Sequence, residues 1–396
     1  MSVGTALHPR TAELNRKMVW REWAGYFAAG VYADFHDIEY NAIREAAALI
    51  DVSPLYKYEV AGPDAMRLVD RVITRDATKL AVDRVYYAPW CDEAGHVVDD
   101  GTIARLDETT YRWTAADPTL RWFRMNAAGL DVRIEDVSEQ VAAIALQGPK
   151  AREVLEEATG QPFEDLRYFG RRASKIGRVT VDVTRTGYTG DRGYELWMDA
   201  SNAVKVWDAL VKAGQPAGLR PAGIHALDVC RIEAGLIMIE ADYTSSRHAL
   251  TPDQRYSPFE LGFDRLVEFG GGDFVGRRAL EAERAAGGPA RRLAGVEIEW
   301  AGIEKMFAAQ GLPPEVSATA SRDPVPLYAG GRQVGKVTSH TWSPTLKQMI
   351  GLASVRAANA AAGSKLEMEW TVEGRRGRVP AVVTPLPFFD PPRKRS

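Results

Sequence analysis

Apolar positions along the chain switch repeatedly between a helical and a strand period. Ile38, Ala42, Ile43, Ala46 and Ile50 recur at helical spacing, which predicts a helix over 37–50 stopped by Asp51-Val-Ser-Pro54. Residues 56–60 alternate as a strand, and Gly62-Pro-Asp64 opens a second helix over 65–72 with Asp64 as its N-cap. The runs 85–91 and 97–106 flank Asp92-Glu-Ala-Gly95 and read as a hairpin with a four-residue loop. Residues 141–146 form a buried strand broken by Gly148-Pro149, followed by a helix over 150–158. Strands at 179–184 and 194–198 enclose a glycine-rich turn, and 203–212 is an amphipathic helix. Helices on one side of short antiparallel strands place the chain in the α+β class.

The character changes over 283–292, an Ala/Gly/Arg-rich stretch that reads as a linker or an exposed helix end. Beyond it strands dominate, at 293–299, 325–328, 333–339, 365–372 and 376–383, which predicts a β-rich C-terminal domain. The basic segment 391–396 reads as a frayed terminus.

Composition narrows the function. Fifty Lys and Arg against 53 Asp and Glu leave a net charge of −3, too balanced for a protein that relies on a broad basic field to hold nucleic acid. The longest apolar runs fall far short of the roughly 18 residues of a membrane helix, and residues 1–10 lack the pattern of a secretory signal. Two cysteines, Cys91 and Cys230, imply a reduced compartment, so a cytoplasmic protein is expected. Without a CxxC or Cys/His cluster no metal site is expected. Ten tryptophans point to large pockets or aromatic-rich interfaces, because a buried indole N–H wants a partner.

No GxGxxG, Walker, HExxH or GxSxG signature is present. Gly270-Gly-Gly272 precedes no Lys-Ser/Thr and reads as a turn. Three other segments carry candidate chemistry. In Gly95-His-Val-Val-Asp-Asp-Gly101 two adjacent carboxylates stand on a strand, and alternation sends them to opposite faces. They read either as a solvated acidic pair or as one pocket-facing acid. In Arg185-Thr-Gly-Tyr-Thr-Gly-Asp-Arg-Gly-Tyr-Glu195 three glycines make a tight backbone able to approach a flat ligand. There Tyr188 offers a stacking face and Glu195 an acceptor for two parallel N–H bonds. A decorated hairpin turn is the alternative. In Asp228-Val-Cys-Arg-Ile-Glu-Ala-Gly-Leu236, Arg231 and Glu233 read as a structural ion pair within an apolar run.

Taken in order, these segments resemble the aminomethyltransferase (glycine cleavage T-protein) family of tetrahydrofolate-dependent one-carbon transferases. The resemblance runs from Met18-Val19 through Asp51-Val-Ser53, Gly62-Pro-Asp-Ala65, Asp99-Asp100, Leu146-Gln-Gly-Pro-Lys150, the 185–195 turn and Leu227-Asp-Val-Cys-Arg-Ile-Glu233. It continues through Ser257-Pro-Phe-Glu-Leu-Gly262 and Asp273-Phe-Val-Gly276 to the Gly335–Thr345 segment. It implies a three-domain cloverleaf with a central folate channel. The domains would be 1–50 with 137–222, then 51–136 with 223–285 carrying Asp100, and a β-rich domain over 290–396. The resemblance makes Asp100 the essential carboxylate at the pterin nitrogens. Tyr87, Tyr168 and Tyr188 become ring-contacting tyrosines, Glu195 the reader of the pterin amino edge, and Thr114 the residue in the place of the family's Asn.

Three departures separate the chain from glycine-cleavage members. Pro54 stands where they carry His, Thr114 where they carry Asn, and Leu227 where they carry Arg; the 241–256 loop also reads as longer. These changes resemble the branches that demethylate small molecules. The expected activity is therefore transfer of a methyl group from a small O-, S- or N-methylated compound to N5 of tetrahydrofolate. Asp100 would receive a proton, and Tyr243 and Tyr32 would be candidate donors to a leaving group. Trp90, Trp113, Arg121, Arg247 and His248 are the expected substrate-binding residues. The alternatives are a glycine-cleavage aminomethyltransferase with a lipoyl carrier partner, and a non-enzymatic folate-binding scaffold. Neither a nucleic acid nor a membrane is an expected partner.

Overall fold

A computed structural model describes residues 2–396. Its first sheet has six strands in the order Arg171–Ile176, Val179–Thr184, Gly193–Asp199, Val141–Gln147, Ala48–Asp51 and Arg220–Pro221; only the last pairing is parallel. Strand Val141–Gln147 shows why helices cover both faces. Ala142, Ile144 and Leu146 join Val154, Leu155, Val206 and Leu210 of the helices Ala151–Thr159 and Ala203–Gly214 in one core. Ala143 and Ala145 point the other way, toward Tyr40, Ala42 and Ile43 of helix His36–Glu45 and Ala226 and Leu227 of helix Ile224–Glu233. Small side chains on that face let the second helix pair lie close. Helices on one side only were expected; the strand's two apolar parities hold helices on both.

The second sheet is antiparallel, in the order Val85–Cys91, Val97–Arg105, Thr110–Ala115, Tyr56–Ala61 and Arg133–Asp136, with helices Ala65–Val72 and Leu120–Asn126 packed on its core face. The C-terminal part is a closed six-stranded barrel, in the order Arg291–Ile298, Gln348–Arg356, Arg332–Ser343, Val325–Ala329, Lys365–Val372 and Arg375–Thr384. Closure removes every free sheet edge. Helix Trp300–Ala308 contributes Ile303 to the barrel core.

Several elements differ from the sequence pattern. The first helix ends at Glu45, and Ala48–Asp51 enters the sheet, where Ala48, Leu49 and Ile50 are buried between helices. Pairing with a central strand overrides local periodicity there. Asp64 does not cap its helix; it accepts Arg67 and the amide of Asp131, both at 2.8 Å. Strand Gln348–Arg356 sits in the barrel between two expected strands, and the sequence pattern did not reveal it. Helix Ile224–Glu233 packs on the first sheet, although it was expected with the second domain. The basic tail is docked, with Arg393 bidentate on Asp191 at 2.7 and 2.8 Å. Phe389 lies 4.4 Å from the Arg44 guanidinium carbon.

Trp90 and Trp113 are fully buried in the core of the second sheet, their rings 5.4 Å apart edge to face, with Trp113 at 4.2 Å from Phe123. Neither indole N–H has a partner. The rings fill the helix-facing side of the sheet, so both residues are placed as packing rather than as a substrate wall. Trp113→Ala is expected to cost about 3–5 kcal/mol of unfolding free energy in a denaturant titration. A loss under 1 kcal/mol with altered ligand selectivity would return Trp113 to the binding site.

Candidate functional site

The register of the second sheet sorts its side chains by parity. Tyr87 pairs with Thr102 and Ala104 with Arg112, so Tyr87, Asp100, Thr102, Arg112 and Thr114 share the face opposite Trp90 and Trp113. Asp100 and Asp99 diverge as alternation requires. Asp99 accepts the amides of Asp100, Ala116 and Asp117 at 2.8, 3.0 and 3.0 Å. Gly101 allows this strand pair to close, because a Cβ there would stand 2.0 Å from the Thr114 carbonyl oxygen.

Asp100 is held by two phenols. Tyr87 donates its hydroxyl to Oδ2 at 2.6 Å, and Tyr243 donates to Oδ1 from the loop after helix Ile224–Glu233. No Lys, Arg or His among the described residues pairs with it. Burial pushes the Asp100 carboxyl up, and the two phenol donors pull it back. Burial first, then the charge of Asp100, raises both Tyr87 and Tyr243 well above the usual phenol range, so they stay protonated and donate. Burial and the Asp100 charge also raise Asp99 well above the carboxylate range. Asp100, Tyr87 and Tyr188 are each half-buried and retain accessible surface.

The glycine-rich turn is organised by Gln147. Added Cβ atoms at Gly187 and Gly193 would come within 2.1 and 2.2 Å of its side-chain amide. That amide donates to the carbonyls of Thr186 and Tyr194 and accepts Thr189 at 2.9 Å. These two glycines therefore make room for a buried glutamine. The result aims two functional side chains. Tyr188 donates its hydroxyl to the Ile237 carbonyl. Glu195 accepts Thr186 on Oε2 at 2.5 Å, while Oε1 has no partner among the described residues. Burial raises Glu195, and Thr186 and the Arg112 charge offset it. Tyr168 is half-buried against Phe169, and the Glu195 and Arg185 charges act on it, which places it beside the same turn.

Other expected residues fall elsewhere. Thr114 is saturated by Thr102, through the Thr102 amide at 2.9 Å and a hydroxyl contact of 2.7 Å. Tyr32 is buried with Asp51 and Glu39 as its nearest charges and does not join Asp100. Arg121 is exposed on helix Leu120–Asn126. Arg247 donates to the Pro118 carbonyl at 3.1 Å, and His248 lies between Glu240 at 3.1 Å and Asp117 at 3.3 Å. Both loop residues are exposed; His248 stands between two carboxylates, while Arg247 has a single bond to a backbone carbonyl.

Arg231 and Glu233 are not paired with each other. Residues two apart on a helix face different ways. Arg231 meets Asp242 at 2.5 Å, and Glu233 meets Arg44 at 2.6 Å. The sequence reading missed Arg112, which meets Asp182 at 2.5 Å with its guanidinium carbon 4.4 Å from the Trp197 ring centre. Its position, two before Thr114 on one strand face, was the available signal. It also missed Asp242. Cavities of about 280 and 190 Å³ open around His340 and Trp370 at the barrel and share no residue with the Asp100 cluster. No helix among the described residues is long and apolar enough to cross a membrane.

Comparison with known proteins places this geometry. Residues 7–270 match the GCVT N-terminal domain, and residues 311–390 match the glycine cleavage T-protein C-terminal barrel domain. The chain is 35% identical over 394 residues to an aminomethyltransferase of Moorella thermoacetica, covering 98% of each. It is 38% identical over 369 residues to an aminomethyltransferase of Symbiobacterium thermophilum, covering 90% of each. It is 36% identical over 409 residues to a trimethylamine-oxide aldolase of Ruegeria pomeroyi, covering all of this chain and 48% of that protein. The fold matches the glycine cleavage system aminomethyltransferase T of Bartonella henselae with a TM-score of 0.82 at 22% identity, covering 98% of this chain and 99% of that one. The chain belongs to the glycine cleavage T-protein family, whose members are folate-dependent one-carbon transferases.

Proposed function

We propose that this protein transfers a methyl group from a small O-, S- or N-methylated compound to N5 of tetrahydrofolate. The observation that carries the reading is Asp100, a half-buried carboxylate held by two phenols and no cation. The residues fit a reduced folate. Glu195 offers an open carboxylate oxygen, without a partner among the described residues, to an amino-pyrimidinone edge. Tyr168 and Tyr188 offer aromatic walls beside it. Tetrahydrofolate, when bound, supplies the nucleophilic nitrogen that receives the one-carbon unit.

Asp100 then takes up the proton released at that nitrogen. Its two phenol donors keep it ionised beforehand, which is the state a base needs. Orienting two reactants accounts for up to about 7–11 kcal/mol of a barrier. A sulfonium or ammonium donor leaves neutral and asks no acid of the protein. An aryl ether needs a proton at the departing oxygen, for which Tyr243 is the hydroxyl in place. The small-donor reading is supported by Pro54 and by Leu227, which is buried in an apolar core where glycine-cleavage members carry Arg. The Ruegeria relative, named an aldolase of trimethylamine oxide, is in keeping with a methylated amine. Aminomethyl transfer from a lipoyl carrier is the second reading, favoured by the full-length relatives that carry that name.

A panel of methylated sulfonium, ammonium, amine and aryl ether compounds, incubated with tetrahydrofolate, is expected to yield methyltetrahydrofolate by mass spectrometry. Methylenetetrahydrofolate formed only with aminomethylated lipoyl carrier would select the second reading. Asp100→Asn is expected to lower turnover about 10²–10⁴-fold. Glu195→Gln is expected to weaken folate binding about 10–100-fold in calorimetry, the worth of one hydrogen bond to a charged group. Tyr243→Phe removes a donor that favours the ionised Asp100. The Asp100 midpoint then rises, and the acid limb of kcat moves to higher pH. A limb that stays in place would remove Asp100 as its origin.

A further inference from the structure

The loop that carries Tyr243 is stitched to all three parts of the molecule. Tyr188 of the first sheet's turn donates to the Ile237 carbonyl. Ser245 donates to the Val98 carbonyl at 2.6 Å, and the Ser246 amide to Val97 at 2.8 Å, both on the strand of Asp100. Asp242, adjacent to Tyr243 and 2% exposed, takes four hydrogen bonds. Its Oδ2 accepts Arg231 at 2.5 Å and the Met238 amide at 2.9 Å. Its Oδ1 accepts Thr338 at 2.6 Å and Ser339 at 2.7 Å, both from barrel strand Arg332–Ser343. Arg231 is fully buried and also donates to Ser339 at 2.8 Å, and Asp228 behind it is held by Arg322 at 2.7 Å.

The geometry points to Asp242, with Arg231 and Ser339, as a positioning unit through which the barrel sets the Tyr243 hydroxyl on Asp100. A buried carboxylate with donors from a helix and a barrel strand as well as from its own loop fixes its backbone far more tightly than a loop fixes itself. The next residue reaches Asp100, so a shift at Asp242 becomes a shift of that hydroxyl. Arg231 and Asp242 also lie within Coulomb range of Tyr188, so the same unit borders the second tyrosine of the site. This inference deepens the reading above and rests on it for its functional meaning.

The test uses the full-length, folate-free protein labelled with 13C at aspartate carboxyls. The Asp100 signal is assigned by its loss in Asp100→Asn and followed through pH. The titratable groups around Asp100 are Tyr87 on the neighbouring strand, Tyr243 on the loop and Tyr188 from the turn, with Asp99 next to it on the opposite face of its own strand. Ser339→Ala, which leaves every charge in place, is expected to raise the Asp100 midpoint by roughly half a pH unit or more, in the direction of Tyr243→Phe. Ser339→Ala added to Tyr243→Phe is expected to move it no further, and Ser339→Thr to restore it. A wild-type midpoint in Ser339→Ala, or shifts that add in the double variant, overturns the inference. Should Ser339→Ala fail to fold, Thr338→Ala, which removes the other barrel donor to Asp242 Oδ1, decides in its place. Failure of the functional reading shows separately, as absent one-carbon transfer by the wild-type protein whatever the midpoints.

Discussion

A carboxylate placed inside a protein without a cation must be kept ionised by hydrogen bonds alone, and Asp100 meets that demand with two phenols. One of them, Tyr87, comes from the next strand of the same sheet and is fixed by pleat and register. The other, Tyr243, comes from a loop and needs a scaffold. One cluster of buried polar side chains answers that second need. Arg231, Asp242, Thr338 and Ser339 tie the loop to a helix on the first sheet and to the barrel, and Ser245 ties it to the strand of Asp100. Replacing a buried ion pair of this kind by apolar groups often leaves stability unchanged. Placement of a reactive group is the stronger account of why this one exists.

The glycine-rich turn shows the same economy. Its glycines wrap the Gln147 amide, and that amide satisfies carbonyls on both sides of the turn. The turn is thereby braced from within, and it leaves Glu195 half-satisfied, with one oxygen bonded and one open.

Much of the architecture was legible in the chain, and the errors have physical causes. Strand periodicity located the hairpin around Asp92–Gly95 and the β-rich C-terminal part. Alternation separated Asp99 from Asp100 correctly. The same rule, applied to Trp113 and Thr114, forbids both from facing one pocket, and it puts Trp113 with the core. Long-range pairing was not legible. Helical spacing continued through Ala46 to Ile50, and only the neighbouring strand turned that run into a sheet. Arg231 and Glu233 looked like partners because they were neighbours, whereas their charges are met by Asp242 and Arg44 on distant segments. The loop residues Arg247 and His248 looked free because no local partner was in sequence range; Pro118, Asp117 and Glu240 meet them in space.

The departures from the glycine-cleavage pattern take on a common meaning in this geometry. Leu227 turns a cationic position on helix Ile224–Glu233 into apolar core, while Arg231 on the same helix is committed to Asp242. Arg112, another buried cation near the site, is committed to Asp182 and the Trp197 face. The groups bonded to Asp100 are hydroxyls, with no cation paired to that carboxylate among the described residues. On the proposed methyl-transfer reading, the Tyr243 hydroxyl is the proton source at that carboxylate, an arrangement that would favour donors whose leaving group departs uncharged.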